Sequence, residues 1–197
     1  DDVYISIRSG GTWSSTSVDG YGGQYTTQGE RGAALAIDSS DGLHVAFYDM
    51  GGSHLEYAYR ALGESSWAKT VVHDQGNDYI GTSLSMALDS NDRPHIAYHD
   101  RTYWDLEYAW HDGSSWMFKT LERDQNVGRH PSIAIDSHDN VHIAYENYSS
   151  YDLSYLLLRN GDVRSEQVAQ VGTHHYGMGY AIDSDGTVHM SFYNGSG

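Results

Sequence analysis

Four aspartate–histidine pairs at one fixed spacing are the first residues in this 197-residue sequence that could do chemistry. They are Asp38 with His44, Asp89 with His95, Asp136 with His142 and Asp183 with His189, and a serine follows each aspartate. Carboxylate and imidazole are the ligands that zinc and other borderline metals take. A pair that recurs four times at equal spacing, however, serves a repeated structural need better than a single mechanism. Each histidine is therefore expected to bond the carboxylate or backbone of its own turn, and no metal site is assigned to these residues.

Chemistry that happens once belongs where the copies differ. Counting back from each repeat aspartate, the seventh residue is Arg31, Thr82, Arg129 and Tyr176, and the sixth is Gly32, Ser83, His130 and Gly177. Guanidinium groups match planar anions bidentately, so Arg31 and Arg129 are candidates to hold a carboxylate or sulfate, as on an acidic sugar. The alternative is that both arginines pair with the chain's own acids. In a lyase the arginines would neutralise a uronate carboxylate, with His130 or His175 as base and Tyr176 as acid. A hydrolase would need two carboxylates about 5 to 10 Å apart, for which the loops offer Glu30, Asp74 and Asp78. The adjacent His174 and His175 lack a fixed third ligand, so no cofactor is expected, although the acidic chain leaves room for a divalent cation.

A second candidate surface is aromatic. The corresponding loops Met50-Gly51-Gly52, Arg101-Thr102-Tyr103-Trp104 and Tyr148-Ser149-Ser150-Tyr151 place Tyr103, Trp104, Tyr148 and Tyr151 where rings could stack on sugar faces or pack on the neighbouring repeat.

The elements that must position these residues follow from the repeat. The repeat aspartates are 51, 47 and 47 residues apart, the length of a four-stranded propeller blade. Within a unit, Ser132-Ile133-Ala134-Ile135 reads as the inner strand and the Asp-Ser segment as a turn. His142-Ile143-Ala144-Tyr145 and its sisters form the second strand. Leu106-Glu107-Tyr108-Ala109-Trp110 is a third, and the outer strand opens at Trp67 or Trp116. Trp13, Trp67 and Trp116 are expected in the core, with Val163 in that slot in the remaining unit. The connection entering each inner strand, which carries Arg31 and Arg129, should lie at one mouth of the central channel.

The chain stops after a second strand, at Phe192-Tyr193-Asn194, and begins with what reads as a third and fourth, Val3 to Arg8 and the segment at Trp13. From Asp183 through the joined ends to Trp13 is 27 residues, the same as from Asp89 to Trp116. The expected fold is thus all-β: a four-bladed propeller of four-stranded antiparallel blades, its ring closed by N-terminal strands that complete the C-terminal blade. A single domain, 1–197, holds units at about 32–74, 83–124, 130–171, and 177–197 joined to 1–19. A monomer closed in this way and a homodimer closed by strand exchange satisfy the arithmetic equally.

Composition excludes more than it selects. Twenty-seven acidic against 11 basic residues give a net charge of −16, which repels nucleic acid and anionic membrane surfaces. There is no cysteine, hence no disulfide or thiolate metal site, and no apolar run of membrane-spanning length.

In its architecture of four blade-length repeats, though not in its Asp-Ser-(x)4-His signature, the chain resembles the secreted prokaryotic β-propellers built on BNR-like and related short repeats. That group includes propeller lectins and sialidase-like or lyase-like carbohydrate-active enzymes. The resemblance spans the whole chain and implies a secreted or cell-surface location and a carbohydrate ligand. It makes a lectin-like binding module the first expectation, a polysaccharide lyase or glycoside hydrolase acting on an acidic polysaccharide the second, and a protein-binding scaffold the third.

Overall fold

The computed structural model describes residues 3–19, 32–49, 51–74, 76, 79–123, 126–171, 179–183 and 185–192. Every regular element among them is a strand. β1 (Tyr4–Ser9) and β2 (Thr12–Ser17) form a hairpin. Three four-stranded antiparallel sheets follow in chain order. Blade 1 holds β3 (Ala33–Ile37), β4 (Leu43–Asp49), β5 (His54–Arg60) and β6 (Ala68–His73). Blade 2 holds β7 (Ile80–Leu88), β8 (Pro94–Asp100), β9 (Asp105–His111) and β10 (Trp116–Glu122). Blade 3 holds β11 (Val127–Ile135), β12 (Val141–Asn147), β13 (Asp152–Arg159) and β14 (Asp162–Gln170). A last hairpin pairs β15 (Gly179–Ile182) with β16 (Val188–Ser191).

The repeated aspartate and histidine do what their recurrence implies. One carboxylate oxygen of each aspartate accepts two backbone N–H groups of its own turn, from Ser40 and Gly42 at Asp38 and from His138 and Asn140 at Asp136. The same pattern holds at Asp89 and Asp183. Asp41, Asp92 and Asp139 take the left-handed conformation that closes this turn, at φ of 63°, 60° and 60°, a region aspartate tolerates better than most residues. The other oxygen faces the histidine Nε2, at 3.1 Å for His44, 3.6 Å for His95, 3.3 Å for His142 and 2.9 Å for His189. Because a carboxylate only accepts, Nε2 carries the proton and Nδ1 is left to accept the hydroxyl of Tyr57, Tyr108 or Tyr155 on the third strand. Each unit of this kind ties an inner turn to two neighbouring strands.

Blades are joined by apolar packing and by a polar latch. Ala46, Leu55, Val72, Ile80, Met86, Ile96, Tyr98 and Ala109 fill the space between blades 1 and 2. Leu106, Tyr108, Val127, Ile133, Ile143, Tyr145 and Leu156 do so between blades 2 and 3. At the turn face, the Ser39 N–H and hydroxyl both donate to Asp92 of the next blade, and those of Ser90 both donate to Asp139. The corresponding place in the fourth unit is Gly186, which has no carboxylate.

At the two ends of the chain the described strands form hairpins. The terminal strands stand as separate two-stranded sheets, and no ladder joins β1 to β16 among the described residues. The N-terminal hairpin packs Ile5 and Val18 on Val45, Phe47 and Ala58 of blade 1, while β15 lies beside β11 of blade 3. Trp13 is the clear correction. It is 68% exposed, because β2 is half-buried only at its Ser17 end and no sheet among the described residues covers the rest. Trp67 and Trp116 do pack on the cores, with the Arg60 guanidinium 4.6 Å from the Trp67 ring and Tyr57 edge-on to Trp116 at 5.2 Å.

Candidate functional site

The inner strands of blades 2 and 3 are longer than their apolar stretches because each opens with a bulge. The β7–β8 register shifts between Ile80 and Leu84, and the β11–β12 register shifts at Arg129 and again before Ser132. Bulges re-aim side chains, and these turn Thr82 in one blade and Arg129 and His130 in the next out of the regular alternation. His130 pays for this with a positive φ of 47°.

Arg129 sits between two aromatic rings contributed by different blades. Its guanidinium carbon is 3.9 Å from the Tyr148 ring and 5.2 Å from the Trp104 ring, and its Nε donates to Asn126 Oδ1 at 3.1 Å. Such contacts hold the planar cation in place and contribute about 0.5–2 kcal/mol each. Trp104 and Tyr151 occupy the same position of the strand 2–3 loop, and both have left-handed backbone, at φ of 64° and 60°. Ser53 has it too at the matching position of blade 1, with φ of 57°, so the turn itself imposes a conformation that bulky residues rarely adopt. Tyr151 lies 6.4 Å from Tyr148, centroid to centroid, and Tyr103 is 61% exposed beside Trp104.

Imidazoles complete the cluster. The backbone N–H of His130 donates to Ser83 Oγ of blade 2 at 3.1 Å, and its Nδ1 is 3.2 Å from Oε2 of Glu146, a buried carboxylate. His99 is buried beside the Trp104 ring, at 5.7 Å, and neither of its ring nitrogens has a hydrogen-bond partner among the described residues. Burial first, then the charges of Arg129, His130 and Arg101, push its pKa down to about 3, so it is neutral at physiological pH.

The arginine and the aromatic loops, read from sequence as two surfaces, are therefore one site between blades 2 and 3. Arg129, His130, Trp104, Tyr148 and Tyr151 come together, with Tyr103 at the edge. The faces of Trp104 and Tyr148 turn toward Arg129, which leaves Tyr103 and Tyr151 as the more exposed rings. Arg31, His175 and Tyr176 lie outside the described residues, as do Glu30, Asp78 and His174. Asp74 caps its own loop through the Gly76 N–H. His99 and Glu146 were missed, although the tenth residue after the repeat aspartate reads Tyr48, His99, Glu146 and Tyr193, the same inequality that singled out Arg129.

A groove of about 390 Å³ opens elsewhere, between blades 1 and 2. Several of its polar walls are already committed: His44 to Asp38 and Tyr57, and Asp92 to Ser39. It is a by-product of the inter-blade latch and carries less chemistry than the Arg129 cluster.

No family model matches the sequence, and no curated protein matches it. Solved structures share the fold. AofleA from Arthrobotrys oligospora superposes with a TM-score of 0.61 at 11% identity, over 91% of this chain and 54% of that one. The Aleuria aurantia lectin in complex with Fucα1-6GlcNAc gives 0.56 at 15% identity, over 85% and 63%. The exo-β-1,3-galactanase of Phanerochaete chrysosporium, with β-1,3-galactotriose, gives 0.55 at 14% identity, over 87% and 45%. The chain thus spans about half to two-thirds of the length of these structures. Among the described residues no helix is long and apolar enough to cross a membrane. At such identities the likeness establishes the fold: an all-β array of four-stranded, propeller-like blades.

Proposed function

We propose that this is a lectin-like carbohydrate-binding module, secreted or displayed at a cell surface, whose site is the Arg129 cluster between blades 2 and 3. The observation that carries the reading is the Arg129 guanidinium held between Trp104 and Tyr148. A fixed planar cation on an acidic protein is suited to one anionic group, a uronate carboxylate or a sulfate, while Tyr103 and Tyr151 offer faces to the sugar ring. A panel of neutral, uronate-bearing and sulfated oligosaccharides, followed for both binding and turnover, tests it. Anionic glycans should bind saturably without turnover. Arg129→Ala should weaken them roughly 10- to 100-fold, the worth of one charge-assisted contact, and Arg129→Lys should fall between. Equal affinity in Arg129→Ala would overturn the assignment, and silence across the panel would favour a protein partner.

A second reading rests on His130. An imidazole oriented by buried Glu146, next to a carboxylate-binding arginine, is arranged to take the proton beside a uronate carboxyl. New unsaturated uronate in the same assay, lost in Arg129→Ala and in His130→Ala, would make the protein a lyase.

The propeller reading also completes the ring. Asp41 stands where Asp92 and Asp139 accept the serine of the preceding blade, and the serine of matching repeat position is Ser184. Pairing β16 with β1 would bring the two half-blades together, within one chain or between two copies. Backbone amides on the β1 edge facing away from β2 are then expected to be protected from hydrogen exchange, in a monomer for the first closure and only in a dimer for the second. Exchange at the rate of a free edge would rule out both.

A further inference from the structure

The structure assigns a divalent-metal site to the mouth of the β4–β5 hairpin, with Asp49, His54 and Glu56 as ligands and a borderline cation of the zinc class as occupant. Asp49 and His54 are the cross-strand pair that closes the hairpin, and Glu56 follows His54 by two residues, so all three side chains share one face of the blade. One donor atom from each, an imidazole nitrogen and two carboxylate oxygens, lies within 4.8 Å of the other two. The His54 Nε2 to Asp49 Oδ2 distance is already 3.5 Å. Ligands about 2.0–2.2 Å from a tetrahedral zinc stand roughly 3.3–3.6 Å apart, so small side-chain rotations complete the set.

Three further features favour a cation here. The side chains are only 14%, 17% and 13% exposed for His54, Asp49 and Glu56, which shields their charge from water. Asp49 is held in place because its two oxygens accept the N–H groups of Gly51 and Gly52. Two carboxylates with a neutral imidazole carry a charge of −2, and the counter-charge now present is Lys69, 4.0 Å from Glu56 with a side chain 37% exposed. Lys69 also donates to the Asp19 carbonyl in an exposed hydrogen bond, so its ammonium keeps a partner when Glu56 turns to the ion.

The sister hairpins lack this donor set. Blade 2 has Asp100, Asp105 and Glu107, but Glu107 is taken by the Thr120 hydroxyl at 2.6 Å and Asp105 faces Arg123 at 3.9 Å. Blade 3 has Asn147, Asp152 and Ser154. Three protein ligands leave one position of a tetrahedral ion open to water or to an incoming oxygen ligand. By repeat position the hairpin belongs to the loops that carry Trp104 and Tyr151 in the other blades. The inference stands independently of saccharide binding.

Calorimetric titration of the chelator-treated full chain with zinc chloride tests it. One ion should bind with micromolar or tighter affinity. His54→Ala and Glu56→Gln should each weaken that site at least tenfold, while Asp105→Asn in the sister hairpin should leave it unchanged. If His54→Ala fails to fold, as circular dichroism would show, the nearly isosteric Glu56→Gln decides. Titration of Glu56→Gln identical to that of the natural chain would overturn the site, placing any bound zinc on other histidines. So would failure of the natural chain to bind zinc.

Discussion

Replacing Gly128 with alanine is expected to lower the melting temperature by roughly 10 °C, with a stability loss of roughly 3–5 kcal/mol. Two costs add. Gly128 has φ +82°, a left-handed conformation that costs an alanine about 1–2 kcal/mol. A β-carbon there would also stand 2.6 Å from both Cα and Cβ of Leu106 and 3.0 Å from its backbone nitrogen, in the neighbouring blade. Backbone cannot rotate away as a side chain can, so blades 2 and 3 must separate where Leu106, Val127 and Tyr108 meet. Gly81 is the internal comparison. Its φ is +87°, but its β-carbon would meet chiefly the Leu55 side chain, at 3.1 Å, which can move. Gly81→Ala should lose only about 1–2 kcal/mol. Thermal unfolding of both variants checks the order, and equal losses would mean that the blade contact at Gly128 is not the limiting one. Because Arg129 and His130 follow Gly128 directly, its variant should also loosen the site.

Gly128 illustrates what could and could not be read from the chain. The blades were legible because their devices recur: Asp136 and His142 have three sisters, and the six-residue interval is the length of a turn joining two strands. The tyrosine partners Tyr57, Tyr108 and Tyr155 recur too, each 13 residues after its histidine, and could have been found by the same comparison. What did not recur was harder. Trp13 occupies a repeat position that is covered in complete blades, but among the described residues no sheet lies beside its hairpin on that side. The residues that meet at Arg129 read as two surfaces in the sequence, because their union depends on the bulges of β7 and β11. A bulge is a tertiary compromise, and here its sequence trace is a glycine, Gly81 two residues before Ser83 and Gly128 three residues before Pro131. His99 is not among the sequence candidates, and only its surroundings show that its ring nitrogens lack a hydrogen-bond partner among the described residues.

His99 is also where acid should act first. A buried imidazole whose folded pKa lies near 3 binds its proton less readily than the same group in the unfolded chain, near 6.5. The unfolded state therefore takes up more protons in this interval. The stability contributed by neutral His99 is complete above about pH 6.5 and is lost as the pH falls toward 3. Integrated over the interval, the loss is roughly 3–5 kcal/mol. His73 and His95, held down chiefly by burial, act in the same direction. Glu107 and Asp105, whose carboxyls burial holds above their usual range, act oppositely as they protonate. Asp38 and Asp136 also resist burial, which pushes their carboxyls up, but hydrogen bonds led by Gly42 and by the Asn140 side chain hold both below the usual range. They add their loss only below about pH 4. His99→Leu should isolate the contribution of the buried imidazole. It removes two buried nitrogens that have no partner among the described residues, so the variant should be at least as stable as the natural chain at pH 7.5 and progressively more stable at pH 6, 5 and 4. Urea unfolding across that series measures the gap, and parallel curves would show that His99 protonates freely in the fold. A stabilised variant that bound saccharide less well would further show that the histidine is kept, at a cost to the fold, as a neutral neighbour that adds no positive charge beside Arg129.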